Sequence, residues 1–338
     1  MKRGKFKITV LVDTAAIPEG DADFTATPQP AITEYHVIGA LRELGYDVAV
    51  QGAVSDLGEL VRAITSRSPD LVFNLTEEYG GDRRLDKNVA NLLEMIDVPY
   101  TGSGSTGLML CRDKSLCKQL LSLHKIRVPG FILFPYGRPV RVTRKLPYPL
   151  VVKPAFEDGS EGISNASLVF NEAELKERAG FVHEAFEQAA IAEEYIAGRE
   201  LYVSVLGNKR LTVLPARECF FETDRGQGPL LMTYRVKWNP QYRQKWNISF
   251  GLSDIQPSAA RNIARTCKKV YRVLQLRDYG RMDLRLTSDG KVVILEANAN
   301  PDLAYGEEVA ESAEKAGISY ERLIERIVHM AWRRYRGR

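Results

Sequence analysis

Residues 294–306 read ILEANANPDLAYG, and they place Glu296, Asn298, Asn300 and Asp302 at alternate positions where an apolar run ends. Alternate residues of a strand share a face, so four oxygen-bearing side chains gather on one side. Upstream, residues 280–298 read GRMDLRLTSDGKVVILEAN, two β-rich runs around Asp289-Gly290, a strong hairpin signal. With Asp289 and Gly290 as a two-residue loop, Ser288 pairs with Lys291, Asp283 stands opposite Glu296 and Arg281 opposite Asn298. Opposed side chains point to one face, and opposed like charges destabilise unless a cation bridges them. On this reading only a bound cation relieves the pair, so neutralising Glu296 leaves the metal-free fold intact. Oxygen donors in this pattern suit Mg²⁺ held together with nucleotide phosphates. The competing reading is a solvated hairpin face, and a three-residue loop without a compensating bulge would put Leu295 opposite Asp283.

The rest of the chain limits the alternatives. Its 338 residues suffice for two or three domains. The 47 Lys and Arg exceed the 43 Asp and Glu by only four, so no charge excess points to nucleic acid; the basic tail WRRYRGR reads as the last turn of a C-terminal helix. Cys111, Cys117, Cys219 and Cys267 lack metal or disulfide spacing, which suits a reducing, cytoplasmic setting. The apolar run after the basic start is cut by Asp13, so it reads as a first strand, not a leader, and no stretch approaches membrane-spanning length.

Residues 7–75 alternate strand and helix as βαβαβ, which predicts a parallel sheet covered on both faces. TGSGSTG at 101–107 matches a dinucleotide glycine pattern, but it does not follow the first strand and no acid stands about 20 residues on to hold a ribose, so it reads as a turn before a helix at 112–126. From Tyr148 the character changes. YPLVVKPAF is a strand, EDGSEG a glycine loop fit to approach an anion, and ISNASLVF another strand; Asn171 and Glu174 open a helix. Residues 222–249 lack clear periodicity and read as a long functional loop.

Taken in order, PYTGSGSTGLMLCRDK, LVVKPAFEDGSEGI, AEEYIAGRELYV, YRVKW, YGRMDLRL and LEANANP resemble the ATP-grasp superfamily, and within it the D-alanine–D-alanine ligase family. The resemblance implies a doubly wound α/β pre-ATP-grasp domain over residues 1–110, then two α+β ATP-grasp lobes at 111–195 and 196–338 that sandwich ATP. It implies phosphate contacts from Lys114, Lys153 and Lys237, an adenine pocket lined by Glu193, Glu194, Tyr195 and Ile196, and Glu200 on the ribose. Asp283, Glu296 and Asn298 would ligate two Mg²⁺ ions, with Mn²⁺ as a substitute, and Arg281 would sit beside the transferred phosphate. The implied chemistry is ADP-forming ligation of small-molecule carboxylate and amine substrates, with a homodimer left open. An ATP-grasp kinase and a nucleotide-binding regulatory protein are the rival readings.

Four departures concern the substrate side. No glutamate falls at the position matching the family's ammonium-gripping residue in the loop DTAAIPEGDADFTATPQP. Glu161 enters the phosphate loop, Trp238 replaces a tyrosine after the mobile lysine, and Asp302 replaces a glycine after the metal strand. Asp302 and Glu307, with Glu308 beside them, face the expected acceptor site, which favours an amine without a free α-carboxylate.

Overall fold

The computed structural model describes residues 6–26, 32–142, 144–221 and 231–337. The apolar runs of the first hundred residues form a parallel sheet of β1 (Lys7–Val12), β2 (Asp47–Gly52) and β3 (Leu71–Asn74), ordered β2-β1-β3. Alternate residues of β1 feed two cores, which is why Val10, Leu11 and Val12 run together as apolar residues. Leu11 packs with α2 (Leu57–Arg67) and α3 (Asp86–Met95); Ile8, Val10 and Val12 pack with α1 (Thr33–Glu43). Gly45 follows α1 at φ +79° and donates to the Arg42 carbonyl, the expected helix stop.

The glycine-rich 101–107 stretch leads into two helices where one was expected, α4 (Ser105–Arg112) and α5 (Lys114–Leu123), separated by Asp113, whose carboxylate caps α5 through Leu116 N. Gly102 (φ +88°) is required: a Cβ there would lie 2.6 Å from Asn300 Oδ1, which accepts from Ser103 N. The motif therefore braces the end of the hairpin.

A four-stranded sheet follows, of β4 (Phe131–Phe134), β5 (Leu150–Pro154), β6 (Leu168–Val169) and β7 (Ala190–Glu194), ordered β4-β7-β5-β6 and covered by α6 (Glu172–Phe186). The strand expected over ISNASLVF is mostly a 3₁₀ turn at Asn165–Ser167, because Ser164 and Ser167 cap each other. The third sheet contains β8 (Arg199–Gly207), β9 (Leu211–Val213), β10 (Arg217–Phe221), β11 (Ile248–Leu252), β12 (Tyr279–Leu286) and β13 (Val292–Asn298), ordered β11-β10-β8-β12-β13 with β9 on β8. Of the long loop expected at 222–249, residues 222–230 lie outside the described residues. The remainder forms α7 (Tyr234–Trp238), α8 (Pro240–Lys245) and the start of β11. Behind the sheet lies α9 (Pro257–Val273); α10 (Glu308–Lys315) and α11 (Tyr320–Arg336) return to the first sheet's core. The basic tail is structural in part: Arg334 reaches Asp278 and the Tyr100 carbonyl.

The hairpin reaches the expected opposition by a different route. Thr287 N donates to Lys291 O and Gly290 N to Thr287 O, so the loop is Ser288, Asp289 and Gly290, with Gly290 at φ +77°. Leu286 pairs with Val292 and Leu284 with Ile294, yet Asp283 pairs with Glu296 and Arg281 with Asn298. Leu295 is the extra residue of a bulge that restores the register. Val292 and Ile294 pack in the core before the bulge, and Ala297 and Ala299 after it. The bulge thus turns Glu296 and Asn298 away from the core. Because nothing crowds a Cβ at Gly290, Gly290→Ala tests the left-handed backbone alone and is expected to cost about 1 kcal/mol in chemical denaturation.

Candidate active site

Arg281, Asp283 and Arg285 alternate along β12 with the core residues Met282 and Leu284, so all three face the β13 carboxylate side. Arg281 is the hub. Its Nε and Nη2 hold the two Asp283 oxygens at 2.7 and 3.0 Å, and its Nη1 donates to Glu308 Oε2 at 2.7 Å. Asn298 Nδ2 donates to Asp283 Oδ2 at 3.2 Å. Burial, against the pull of Arg281, raises the Asp283 carboxyl, and neighbouring Glu296 and Glu308 push the same way.

Lysines meet this face from α5 and β5. Lys114 Nζ lies 2.6 Å from Glu296 Oε1 and also donates to the Glu157 carbonyl. Lys118, one helical turn on, donates to the Leu295 carbonyl at 2.7 Å and lies 2.9 Å from Glu193; Lys153 lies 3.2 Å from the same carboxylate. Lys118 escaped the sequence reading, although its i+4 spacing from Lys114 was the available signal.

Of the expected nucleotide residues, Lys114 lines neither of two neighbouring cavities, and the rest divide between them. Lys153, the 193–196 segment, Glu200, Asp283 and Glu296 line a cavity of about 110 Å³. Across the Arg281–Asp283 pair, Lys237, Arg281, Asn298 and Asp302 line another of about 340 Å³. Two side chains are committed elsewhere: Glu193 to its two lysines, and Glu194, which accepts from Gly130 N at 2.8 Å. Glu200 accepts from Tyr202 Oη at 3.0 Å and from Arg285, whose Nη1 donates to the Gly198 carbonyl. Trp238 donates its indole N–H to Gly159 O at 3.0 Å, joining α7 to the EDGSEG loop, and Lys237 Nζ lies 4.9 Å from its ring centre.

Several expectations need correction. Asn300 and Asp302 part from the metal strand: Asn300 takes Ser103 N, while Asp302 takes Ala304 N and the Thr33 hydroxyl. Glu308 is occupied by Arg281, so it is not a free charge facing an acceptor, and Glu307 lines neither cavity. A glutamate does stand in the first turn of the helix after the first loop: Glu34 of α1, further along the chain than the expected position. The carboxylate opposition is bridged without a metal, since Arg281 holds Asp283 and Lys114 holds Glu296.

Among the described residues no three His, Cys, Asp or Glu side chains converge into a metal cage. Two carboxylates and an amide do suit Mg²⁺, which keeps open positions for phosphate oxygens. All four cysteines are buried and free, and no helix among the described residues is long and apolar enough to cross a membrane.

This hairpin at the edge of the larger sheet, with an antiparallel four-stranded sheet and a parallel N-terminal one, is the arrangement of an ATP-grasp protein. The profile of the D-ala D-ala ligase C-terminus matches residues 137–329. An uncharacterised protein of Sinorhizobium fredii is 35% identical over 315 residues, 92% of this chain and 90% of that one. The D-alanine–D-alanine ligase of Bordetella petrii is 31% identical over 290 residues, 83% of this chain and 82% of that one. The chain belongs to the D-alanine–D-alanine ligase family. In fold it is similar to the ATP-complexed D-alanine–D-alanine ligase of Bacillus anthracis (TM-score 0.75, 20% identity, covering 98% of this chain and 99% of that one). It is also similar to the VanG D-Ala:D-Ser ligase of Enterococcus faecalis (TM-score 0.67, 19% identity, covering 97% and 100%).

The Lys114 contact makes Glu296 testable without turnover. Burial would raise its carboxyl, but Lys114, then Lys153 and Lys118, override this and hold it down to about 2. A depressed carboxyl stabilises the fold above its unfolded value near 4.5, and that contribution is lost as pH falls toward 2. Glu296→Gln is therefore expected to destabilise the metal-free protein by ~1–3 kcal/mol at neutral pH. The gap from the parent should begin to narrow below about pH 4.5 and close toward pH 2 in melts across pH.

Proposed function

We propose that the chain is an ADP-forming, ATP-dependent carboxylate–amine ligase whose substrates differ from those of the D-alanine-joining relatives. The observation that carries this is the single polar hairpin face on which Arg281, Asp283, Glu296 and Asn298 meet Lys114 and Lys153. Family membership and the likeness to an ATP-complexed ligase support the same reading.

In this reading ATP lies between the two later sheets. The 193–196 backbone lines the adenine pocket, Glu200 takes ribose hydroxyls, and Lys114, Lys153 and Lys237 contact phosphates. Asp283, Glu296 and Asn298 would hold Mg²⁺, which when bound neutralises charge on the phosphoryl oxygens. Lys114 and Arg281 keep those carboxylates in place beforehand. A substrate carboxylate oxygen attacks the γ-phosphorus as its bond to the ADP oxygen breaks, giving an acyl phosphate. The amine nitrogen then attacks the acyl carbon, phosphate leaves, and an amide forms. The Arg281 fork suits both the phosphoryl oxygens and the oxyanion of the second step. Asp302, which lines the cavity shared with Arg281 and Lys237, disfavours an acceptor with a free α-carboxylate. A kinase would transfer phosphate without releasing it, and a nucleotide-binding regulator has no need of the full Arg281, Asp283, Glu296 and Asn298 set.

Two measurements test this. Phosphate release from ATP with one carboxylate fixed should require an added amine; release of ADP with a stable phosphorylated product instead identifies a kinase. Arg281→Lys keeps the cation beside Asp283 and Glu308 but loses the fork. Turnover should fall at least ~10²-fold, with ATP affinity in equilibrium binding near that of the parent. Equal losses would make Arg281 a ground-state nucleotide clamp.

A further inference from the structure

A separate cavity of about 310 Å³ opens where the ends of β1 and β3 meet the first turn of α1 and residues 300–303. Four carboxylates line it, from Asp13, Glu34, Glu77 and Asp302, and no Lys, Arg or His among the described residues does. Backbone donors fix two of them: Asp13 accepts from Glu77 N at 3.0 Å and Glu78 N at 3.4 Å, and Asp302 accepts from Ala304 N at 2.7 Å. Burial raises the Asp13, Glu34 and Glu77 carboxyls, Asp13 up to about 7, and neighbouring acids add to it. Arg83 and Arg112, outside this cavity's lining, pull Glu77 the other way.

An independent feature points to a ligand. Asn74 lines the same cavity and is 1% exposed. Its Oδ1 accepts from the Thr76 hydroxyl at 2.8 Å and Thr76 N at 3.3 Å, while its Nδ2 has no acceptor. Buried donors are normally satisfied, so this one asks for an oxygen. The four acids do not converge as metal ligands do. Spread around a small-molecule-sized space, they ask for positive charge at more than one point. Thr76, Glu77, Asn300, Pro301 and Asp302 line both this cavity and the one containing Arg281 and Lys237, so a group held here adjoins the phosphoryl-transfer face.

We propose that this cavity binds the carboxylate-bearing substrate, and that this substrate is a diamino monocarboxylic acid whose two ammonium groups meet the four acids and one of whose oxygens accepts from Asn74 Nδ2. The assignment rests on the ligase reading, since it names that reaction's donor. A neutral amino acid satisfies Asn74 but leaves most of the acidic wall without a counter-charge.

Calorimetric titration of the full chain with both enantiomers of lysine, ornithine and norleucine tests it, alongside ADP release with ATP, Mg²⁺ and the same compounds. One enantiomer of lysine or ornithine should bind at least about tenfold more tightly than norleucine, which lacks the second ammonium. Glu77→Gln, at the most exposed of the four acids, and Asp13→Asn should each reduce that preference. Asn74→Asp, which keeps the acceptor and removes the donor, should weaken lysine binding but not that of 1,5-diaminopentane. Norleucine binding as tightly as lysine, a preference that survives both neutralising variants, or displacement of lysine by Ca²⁺ alone would overturn the proposal. Selective lysine binding without ADP release from any pair would keep the cation site and overturn the ligase reading. ADP release with neutral amino acids and no lysine preference would do the reverse.

Discussion

The contact between Lys118 and the Leu295 carbonyl fixes the face on which the site is built. A bulge leaves one residue without a ladder partner, and here that residue's carbonyl is directed at a buried ammonium that also meets Glu193. Ile294 N, on the other side of the bulge, finds the Arg127 carbonyl. With both groups satisfied, the irregularity is stable in a dry setting. Without the extra residue, Glu296 and Asn298 would follow Val292 and Ile294 toward the core. The site therefore depends on the Leu295 peptide carbonyl being satisfied by Lys118 of α5.

Around that peptide runs a chain of buried charge: Lys153–Glu193–Lys118, Lys114–Glu296, Asp283–Arg281–Glu308 and Arg285–Glu200. Burying an ion pair is often no better for stability than packing apolar groups, so the array is poorly explained as scaffolding. Its conflicts are visible. Burial lowers the Lys153 ammonium although Glu193 lies beside it, because Lys118 and Lys114 also crowd it. Burial raises the Asp283 carboxyl even in the grip of Arg281. Charges held in place at such cost are preorganised in the electrostatic sense, as the proposed nucleotide and cation site requires.

The opposition of Asp283 and Glu296 was legible in the sequence for an instructive reason. The hairpin loop has three residues where two were expected, taking Ser288 from β12, and the bulge takes Leu295 from β13, so the two departures cancel at the charged end. The uniform apolar run KVVIL conceals the change of phase, since every residue in it after the lysine suits either face. The N-terminal βαβαβ order was legible because its periodicities are strong and Gly45 marks the first helix's stop. What stayed hidden depended on contacts distant in the chain. Glu34 was missed because the first loop is long, and the helix bearing the glutamate begins late. Asn300 looked like a ligand until Ser103 N, 197 residues away, was seen to claim it. Glu308 read as a loose negative charge until α10 brought it to Arg281.

These departures also divide by location. The groups assigned to nucleotide and metal lie mainly on strands β5, β7, β8, β12 and β13 or on α5, where register and burial restrict what a position can hold. Asp13, Glu34, Glu77, Glu161 and Asp302 lie on loops or a helix's first turn, where backbone donors anchor a carboxylate at little cost to the core. Loops carried by a rigid scaffold are where recognition can change without altering the fold. Changing the charge around Asn74 alters what the substrate cavity recognises, yet it leaves the Lys118–Leu295 contact and the hairpin's phase untouched. The two halves of the site can therefore diverge independently, and a nucleotide face like that of the D-alanine–D-alanine ligases does not require a D-alanine pocket beside it.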